Sequence, residues 1–295
     1  MILRKLFYVI LLNCYYTLSA QLPQTAMYLL QIDNPSDTIW TISKIDYISS
    51  FNPKGYNNQP YFISPTNLLA SIRLSNSDNN EIFSFDLTKN SLTNITNSSS
   101  SEYSPRISPY NSKYIDCVSV PKNDTNIQNL VEINLENGAY STIIFNKFAK
   151  IGYYRHIKDK SWVCYLVDEP HVLSICDANL LSKKIFASSI GRSFEVLNQK
   201  EILFVHKITA DHWILKVYNL VSEKSRTLAE MPIGTEDFAL DETGNVICAS
   251  DSKLMKLSKD GRWQTLIDLK PLNIKNINRL AINKNRMAIV SVSKS

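Results

Sequence analysis

Glycine is scarce in this chain, with seven in 295 residues. That excludes phosphate-cradling loops and dinucleotide fingerprints, which need several glycines close together. It also leaves the tight turns to Asn, Asp and Ser, whose short polar side chains bond back to the backbone. None of the five cysteines forms a CxxC pair, so the common zinc spacings are missing. The four histidines, His156, His171, His206 and His212, show no metal-ligand spacing on predicted strands. His206, inside Leu203-Phe-Val-His-Lys207, reads as a structural strand residue. No Gly-x-Ser-x-Gly elbow is present. There is neither a basic block nor an acidic tail, and the formal charge of +5 is spread along the chain, which argues against a nucleic-acid partner. These absences point to no catalytic set, no metal and no cofactor.

What is present begins with a leader. Arg4 and Lys5 precede a short apolar core, Leu6 to Leu12, and Thr17-Leu-Ser-Ala20 offers small residues for cleavage. Residues 1–20 therefore resemble a secretory signal peptide, and the run is too short to span a bilayer. A rival reading is lipidation at Cys14, since Leu11-Leu12-Asn13-Cys14 loosely matches a bacterial lipobox, although Asn13 is a poor residue before the cysteine. Export would place the protein in the periplasm or outside the cell. No later stretch reads as a transmembrane segment. Of the remaining cysteines, Cys164 and Cys176 flank a predicted hairpin turning near Asp168-Glu-Pro170. They face each other as a disulfide, which export permits, or stay buried thiols like Cys117 and Cys248. Three formal glycosylation sequons, at Asn94, Asn97 and Asn123, are expected by chance in so Asn- and Ser-rich a chain.

The chain is organised around Gly55 to Ile95. Four strand-like segments follow one another there: Pro60 to Ile63, Leu68 to Leu74, Glu81 to Leu87 and Leu92 to Thr96. Four strands in about 40 residues is a propeller-blade period, and one such sheet cannot bury its faces without neighbours. Similar units follow, giving blades at about 55–96, 102–145, 152–187, 191–229 and 234–268. Residues 27–45 supply only a third and fourth strand, and 276–292 only a first and second. Polar residues close the third strands at Asp33, Asp86, Asn134, Asp177, Asn219 and Ser258, spaced by 53, 48, 43, 42 and 39. The expectation is a single all-β domain over 21–295: a six-bladed β-propeller of four-stranded blades, its ring closed by N- and C-terminal strands sharing one blade. Closure removes sheet edges that recruit other chains. A β-sandwich, the competing arrangement, gives no reason to begin on half a unit and end on the matching half.

Ser64-Pro65 after Phe62, Ser108-Pro109 after Ile107 and Asp241-Glu-Thr-Gly244 after Leu240 look like worn copies of a Phe-Ser-Pro-Asp-Gly turn. With Gly55-Tyr-Asn-Asn-Gln-Pro60, Ser101-Glu-Tyr-Ser-Pro105, Ile190-Gly-Arg-Ser193 and Thr235-Glu-Asp-Phe238, they make the mature chain from Gln21 on resemble the exported TolB-like (Pro-Asp repeat) six-bladed propellers of bacteria. No unit keeps the full turn, and TolB's additional N-terminal domain has no room before Met27. The resemblance implies a cell-envelope propeller that binds a protein or small ligand. It does not extend to TolB's own role with the Tol–Pal system.

Propellers gather the loops that lead into their innermost strands round one mouth of the central channel. The candidates at that station are Asn57 and Gln59; Glu102 and Ser104; Tyr153, Tyr154 and His156; Arg192 and Ser193; Glu236 and Asp237; Asn278 and Arg279. Arg192 and Arg279 suit a carboxylate or phosphate, and Glu102, Glu236 and Asp237 a cation or amine. Two explanations stay open: a ligand site in a concave mouth, or Arg–carboxylate pairing between blades that satisfies buried polar groups. The leading expectation is a monomeric, non-enzymatic binding module for an envelope protein or small ligand. One alternative is a hydrolase or lyase of a sugar-like or lactone substrate, with Glu102 and Asp237 as an acid/base pair and His156 beside them. Calcium held by the same carboxylates with Asn57 or Asn278 is a variant of it. Another alternative is a structural subunit of an envelope complex.

Overall fold

The computed structural model describes residues 22–35, 38–145, 150–179 and 182–293. The expected leader, residues 1–20 with Cys14, lies outside the described residues. Strands β1 (Thr25–Ile32) and β2 (Ile42–Tyr47) open the chain. Blade 1 is β3 (Tyr56–Ser64), β4 (Asn67–Arg73), β5 (Glu81–Asp86) and β6 (Ser91–Asn94). Blade 2 is β7 (Ser101–Ile107), β8 (Tyr114–Val120), β9 (Asn129–Asn134) and β10 (Tyr140–Phe145). Blade 3 is β11 (Ile151–Lys158), β12 (Ser161–Leu166), β13 (Val172–Asp177) and β14 (Ser182–Ser188). Blade 4 is β15 (Ile190–Val196), β16 (Glu201–Lys207), β17 (Trp213–Asn219) and β18 (Lys224–Glu230). Blade 5 is β19 (Phe238–Leu240), β20 (Val246–Ser250), β21 (Lys253–Leu257) and β22 (Trp263–Asp268). The last strands, β23 (Ile277–Asn283) and β24 (Arg286–Val292), return to β1, and the sixth sheet runs β2-β1-β24-β23. Met27 to Ile45 thus shares a sheet with Arg286 to Val292, with Met27 opposite Val290. The protein is a six-bladed propeller closed by both termini.

Among the described residues, six apolar clusters fill the ring, each between two neighbouring blades. On β4, Leu68 and Ala70 pack towards the closing blade, while Leu69 packs against Ile115, Cys117 and Val131 of blade 2. Both faces of such a strand are buried, so the second strands read as unbroken apolar runs rather than alternating ones. Full burial of each of these side chains contributes about 1.5–3 kcal/mol. Between blades 2 and 3, Phe145 packs edge-on against Trp162, with ring centroids 5.2 Å apart.

Five of the six polar residues expected to close the third strands have a mechanical role; after β1 it is Asn34, not Asp33, whose Oδ1 accepts, from Thr41 N–H. Asp86 Oδ1 accepts from the backbone N–H groups of Thr88 and Lys89, and Asn134 Oδ1 from Glu136 and Asn137. Asp177 and Asn219 do the same for Asn179 and for Val221 and Ser222, while Ser258 Oγ accepts from Arg262 N–H. A short side chain that folds back on its own turn fixes the way into the fourth strand. Low glycine is met as expected from sequence: Asn90, Asn97, Asn273 and Asn276 take left-handed φ angles of 42° to 57°. Asn tolerates that region better than most residues.

Two expectations need correction. The innermost strands of blades 1 and 2 begin at Tyr56 and Ser101, before Pro60 and Pro105. Their pairing is interrupted by register shifts between Asn58 and Tyr61 and between Tyr103 and Arg106. Gln59 and Ser104 there take φ of 55° and 56°. A proline lacks the N–H a regular ladder needs, and the bulge absorbs that loss. Cys164 and Cys176 are not opposite one another, since Cys164 pairs with Ser174 and Cys176 with Trp162. Both are buried free thiols on one face of the hairpin, within hydrogen-bonding reach of each other.

Candidate functional site

Register shifts like those of blades 1 and 2 recur in the first strands of blades 3, 4 and 6, between Ile151 and Tyr153, Ile190 and Phe194, and Ile277 and Arg279. The same irregularity thus stands at the same height round most of the ring, where bulges re-aim side chains. Two tiers line the channel, the first at this height. The first holds Gln59, Ser104, Tyr153, Ser193, Asp237 and Arg279, one from each blade. Two residues further along each strand come Tyr61, Arg106, Arg155, Glu195, Ala239 and Ala281. Their neighbours Phe62, Tyr154, Phe194, Phe238 and Leu280 are instead buried in the inter-blade clusters, following the period of two along a strand. The tiers enclose a cavity of about 240 Å³.

The first tier is organised by Asp237. Arg192 donates to its Oδ2 from Nε at 3.0 Å and from Nη2 at 2.5 Å, and Nη2 also donates to the Asn278 carbonyl at 2.8 Å. Arg279 Nη1 lies 3.5 Å from Oδ1. From blade 6, Arg279 crosses the channel to blade 3, where its Nη2 donates to the Tyr153 hydroxyl at 3.1 Å and its guanidinium lies over the Tyr153 ring. Glu236 completes the mouth between Arg192, at 3.3 Å, and Lys207, at 2.6 Å. Burial opposes ionisation of Asp237, but Arg192 and Arg279 outweigh it and hold the carboxyl below the ordinary range.

The second tier repeats the pattern. Glu195 accepts a two-pronged bond from Arg155, at 2.8 Å and 2.7 Å, and a longer one from Arg106 Nη2 at 3.4 Å. Arg106 lies over the Tyr61 ring as Arg279 lies over Tyr153. Burial again opposes the charge of Glu195, and Arg155 and Arg106 again bring the net shift downward. Each node therefore has one carboxylate, one arginine bound to it by two short bonds, and one arginine lying on a tyrosine with a looser hold.

The structure brings together Tyr153, Arg192, Glu236, Asp237 and Arg279 from the stations expected in sequence. Gln59 and Ser104 join them on the wall, tied to each other by a 2.7 Å bond from Ser104 N–H to Gln59 Oε1, and Ser193 Oγ accepts from Phe238 N–H. Four others are elsewhere. Asn57 is buried and structural: its Nδ2 donates to the carbonyls of Thr25 and Asn52, tying blade 1 to the closing blade. His156 lies towards the opposite face, against Tyr110, the Asp159 carbonyl and Trp162. Glu102 does not line the cavity; it is buried between blades 1 and 2, accepting from Ser98 Oγ at 2.7 Å and from the Tyr140 hydroxyl at 2.5 Å. Burial, reinforced by Glu81, pushes the Glu102 carboxyl up to about 7. Tyr154 is buried as well, donating to the carbonyls of Ser104 and Asp116. Arg106, Arg155 and Glu195 lie outside the expected stations, although the two-residue strand period from Ser104, Tyr153 and Ser193 points to them.

Among the described residues, no three His, Cys, Asp or Glu side chains form a group able to hold a metal ion. No helix among them is long and apolar enough to cross a membrane.

Fold and channel together define a six-bladed propeller with a charged axial cavity. No protein-family model matches the chain, and no curated protein matches it. Solved structures do. A protein of Agrobacterium tumefaciens designated a TolB is 12% identical, with 92% of this chain and 99% of that chain covered and a TM-score of 0.63. TolB of Acinetobacter baumannii is 14% identical, with 91% and 64% covered and a TM-score of 0.56. A gluconolactonase of Xanthomonas campestris is 7% identical, with 81% and 86% covered and a TM-score of 0.58. At these identities the likeness is one of fold.

Proposed function

We propose that the protein is an exported, TolB-like binding module of the cell envelope, and that it engages a protein or small ligand at the mouth where Arg192, Glu236, Asp237 and Arg279 meet. The observation that carries this reading is the state of Asp237. Its carboxylate is committed to Arg192 and Arg279, arginines of the two blades flanking its own. A hydrolase or lyase using carboxylates needs a second acid or base converging with the first. Glu102, the expected second group, is buried elsewhere, and Glu195, the other carboxylate on the cavity wall, is held by Arg155 and Arg106. A mouth of fixed, mixed charge suits recognition, since complementary charges give specificity and orientation. Fold likeness to a gluconolactonase supports no active site by itself.

Export rests on residues 1–20 acting as a cleaved leader. N-terminal sequencing of the mature protein is expected to begin at Gln21. Retention of Met1 in the fractionated cell contradicts export by cleavage, and a lipidated Cys14 replaces it with anchoring. Binding is tested by affinity capture from the native envelope with wild type and Ala281→Phe, which fills the cavity without altering charge. Loss of a captured partner in the variant is the expected result; equal recovery removes the channel from the reading.

A further inference from the structure

The two nodes of the channel are not electrically closed. The cavity wall carries Arg106, Arg155 and Arg279 against Glu195 and Asp237, three positive groups and two negative ones, a surplus of one. Arg192 and Lys207 at the mouth do not remove it, because Glu236 balances one of them and the other adds to the surplus. The structural carboxylates are also unevenly shared. Arg155 takes both oxygens of Glu195 at short range, leaving Arg106 a single contact at 3.4 Å. Arg192 takes Asp237 Oδ2 twice, leaving Arg279 the 3.5 Å approach to Oδ1. Among the described residues, Arg279 Nε is buried without an acceptor. A buried guanidinium donor without a partner is costly, so the Arg279 guanidinium is less fully compensated than that of Arg192.

Shape agrees with charge. In the second tier, blades 1 to 4 contribute Tyr61, Arg106, Arg155 and Glu195, whereas blades 5 and 6 contribute Ala239 and Ala281. The open space is therefore on the alanine side, facing the arginines across the channel. At about 240 Å³ it is smaller than the common range for small-molecule sites, roughly 300–1,000 Å³, and calls for a short ligand.

We infer that this cavity binds an organic carboxylate, its anionic end on the loosely held guanidiniums of Arg279 and Arg106 and its short apolar body against Ala239 and Ala281. The inference rests on the channel-binding reading above. One negative charge matches the surplus of the cavity wall itself, the further positive charge standing outside it at the mouth. A planar carboxylate also repeats the geometry by which Arg155 and Arg192 are already held, which guanidinium forks favour. A phosphate dianion would bring a second charge towards Glu195 and Asp237. The carboxylate can be that of a free small acid or of a peptide C-terminus; the chemistry at the arginines is the same.

Isothermal titration with butyrate, butyramide and methyl phosphate tests this, together with a short peptide ending in Ala-Ala as its free acid and as its amide. Butyrate is expected to bind and butyramide not to. Arg106→Gln and Arg279→Gln are each expected to weaken butyrate at least about tenfold, the scale of one charge-assisted hydrogen bond. Arg106→Gln leaves the paired bonds of Arg155 to Glu195 in place, so its thermal midpoint stays near wild type and reports on fold. Tighter binding of the free-acid peptide than of butyrate, lost in the amide, identifies a chain end as the source; the reverse order identifies a small acid. Butyrate and butyramide binding alike, methyl phosphate binding best, no binding at millimolar butyrate, or a folded Arg106→Gln that binds butyrate as wild type does overturns the inference. If the captured partner is still lost in Ala281→Phe while butyrate fails to bind wild type, the channel reading stands and only its carboxylate chemistry falls.

Discussion

Four carboxyls divide this ring into two kinds of place. Asp237 and Glu195 face arginines across the channel and are held below the ordinary carboxylate range. Glu102 and Asp116 are on strands of blade 2, away from the channel, and burial pushes them up to about 7 and about 8. Arg106 makes the contrast sharp. In strand register it stands opposite Asp116, yet its guanidinium reaches into the channel to Glu195. Asp116 is left with Glu132 on its other flank and, among the described residues, with no hydrogen-bond partner for Oδ1. Like residues in one ring are thus held ionised or pushed towards the neutral form according to whether they have an arginine, and the arginines are concentrated on the channel wall.

The largest expected break in this comparison is Asp237→Asn. It leaves Arg192 and Arg279 without their carboxylate inside the ring, and breaking a buried pair costs about 3–5 kcal/mol. Denaturant unfolding at pH 7 measures it; a change below about 1 kcal/mol would mean the node is as dispensable as a surface pair.

The next effect is opposite in sign. Glu102 has a folded pKa of about 7 against 4.5 for the free group, and Asp116 about 8 against 3.8. In each case the folded state binds the proton more tightly. The resulting stability is present below pH 4 and is lost as pH rises through about 7 for Glu102 and about 8 for Asp116. Glu102→Gln is therefore expected to stabilise the protein at pH 8 by on the order of 1–3 kcal/mol and to change little at pH 4. Asp237 and Glu195, with lowered values, contribute stability above the ordinary carboxylate range that is lost as pH falls below it. Wild type is thus expected to be most stable in mildly acid solution, and thermal unfolding across pH 3 to pH 9 locates that maximum. A monotonic rise towards pH 8 would sink the account of Glu102 and Asp116.

At the small end, the exposed pair Lys184–Glu223 bridges blades 3 and 4 at 2.5 Å. Water screens it, and Lys184→Ala is expected to leave the unfolding midpoint unchanged. A clear loss would show that blade contacts outside the channel also depend on charge.

Much of the architecture is legible in the sequence because its signals are local. Asp86, Asn134, Asp177 and Asn219 serve their own turns, so their spacing reports the blade period directly. Half units at the two ends predict the shared blade for the same reason: strand count is a property of each segment. The site is less legible because it depends on parity along a strand. The bulge between Tyr103 and Arg106 resets the alternation, so Glu102 does not share the face of Ser104 only two residues away. Asn57 and Gln59 are separated in the same way. His156 is on the channel strand but at its far end, beside the turn at Asp159. Which arginine answers which carboxylate depends on blades meeting across the axis, as when Arg106 of blade 2 meets Glu195 of blade 4, and no local pattern encodes that.

The most direct test of the contrast is a carboxyl-resolved ¹³C NMR titration of the folded protein, assigned with Asp237→Asn, Glu195→Gln, Glu102→Gln and Asp116→Asn. The account predicts that Asp237 and Glu195 remain ionised below the ordinary carboxylate range, while Glu102 takes its proton near pH 7 and Asp116 near pH 8. All four titrating together between about pH 3.5 and 4.5, as free carboxyls do, would contradict it.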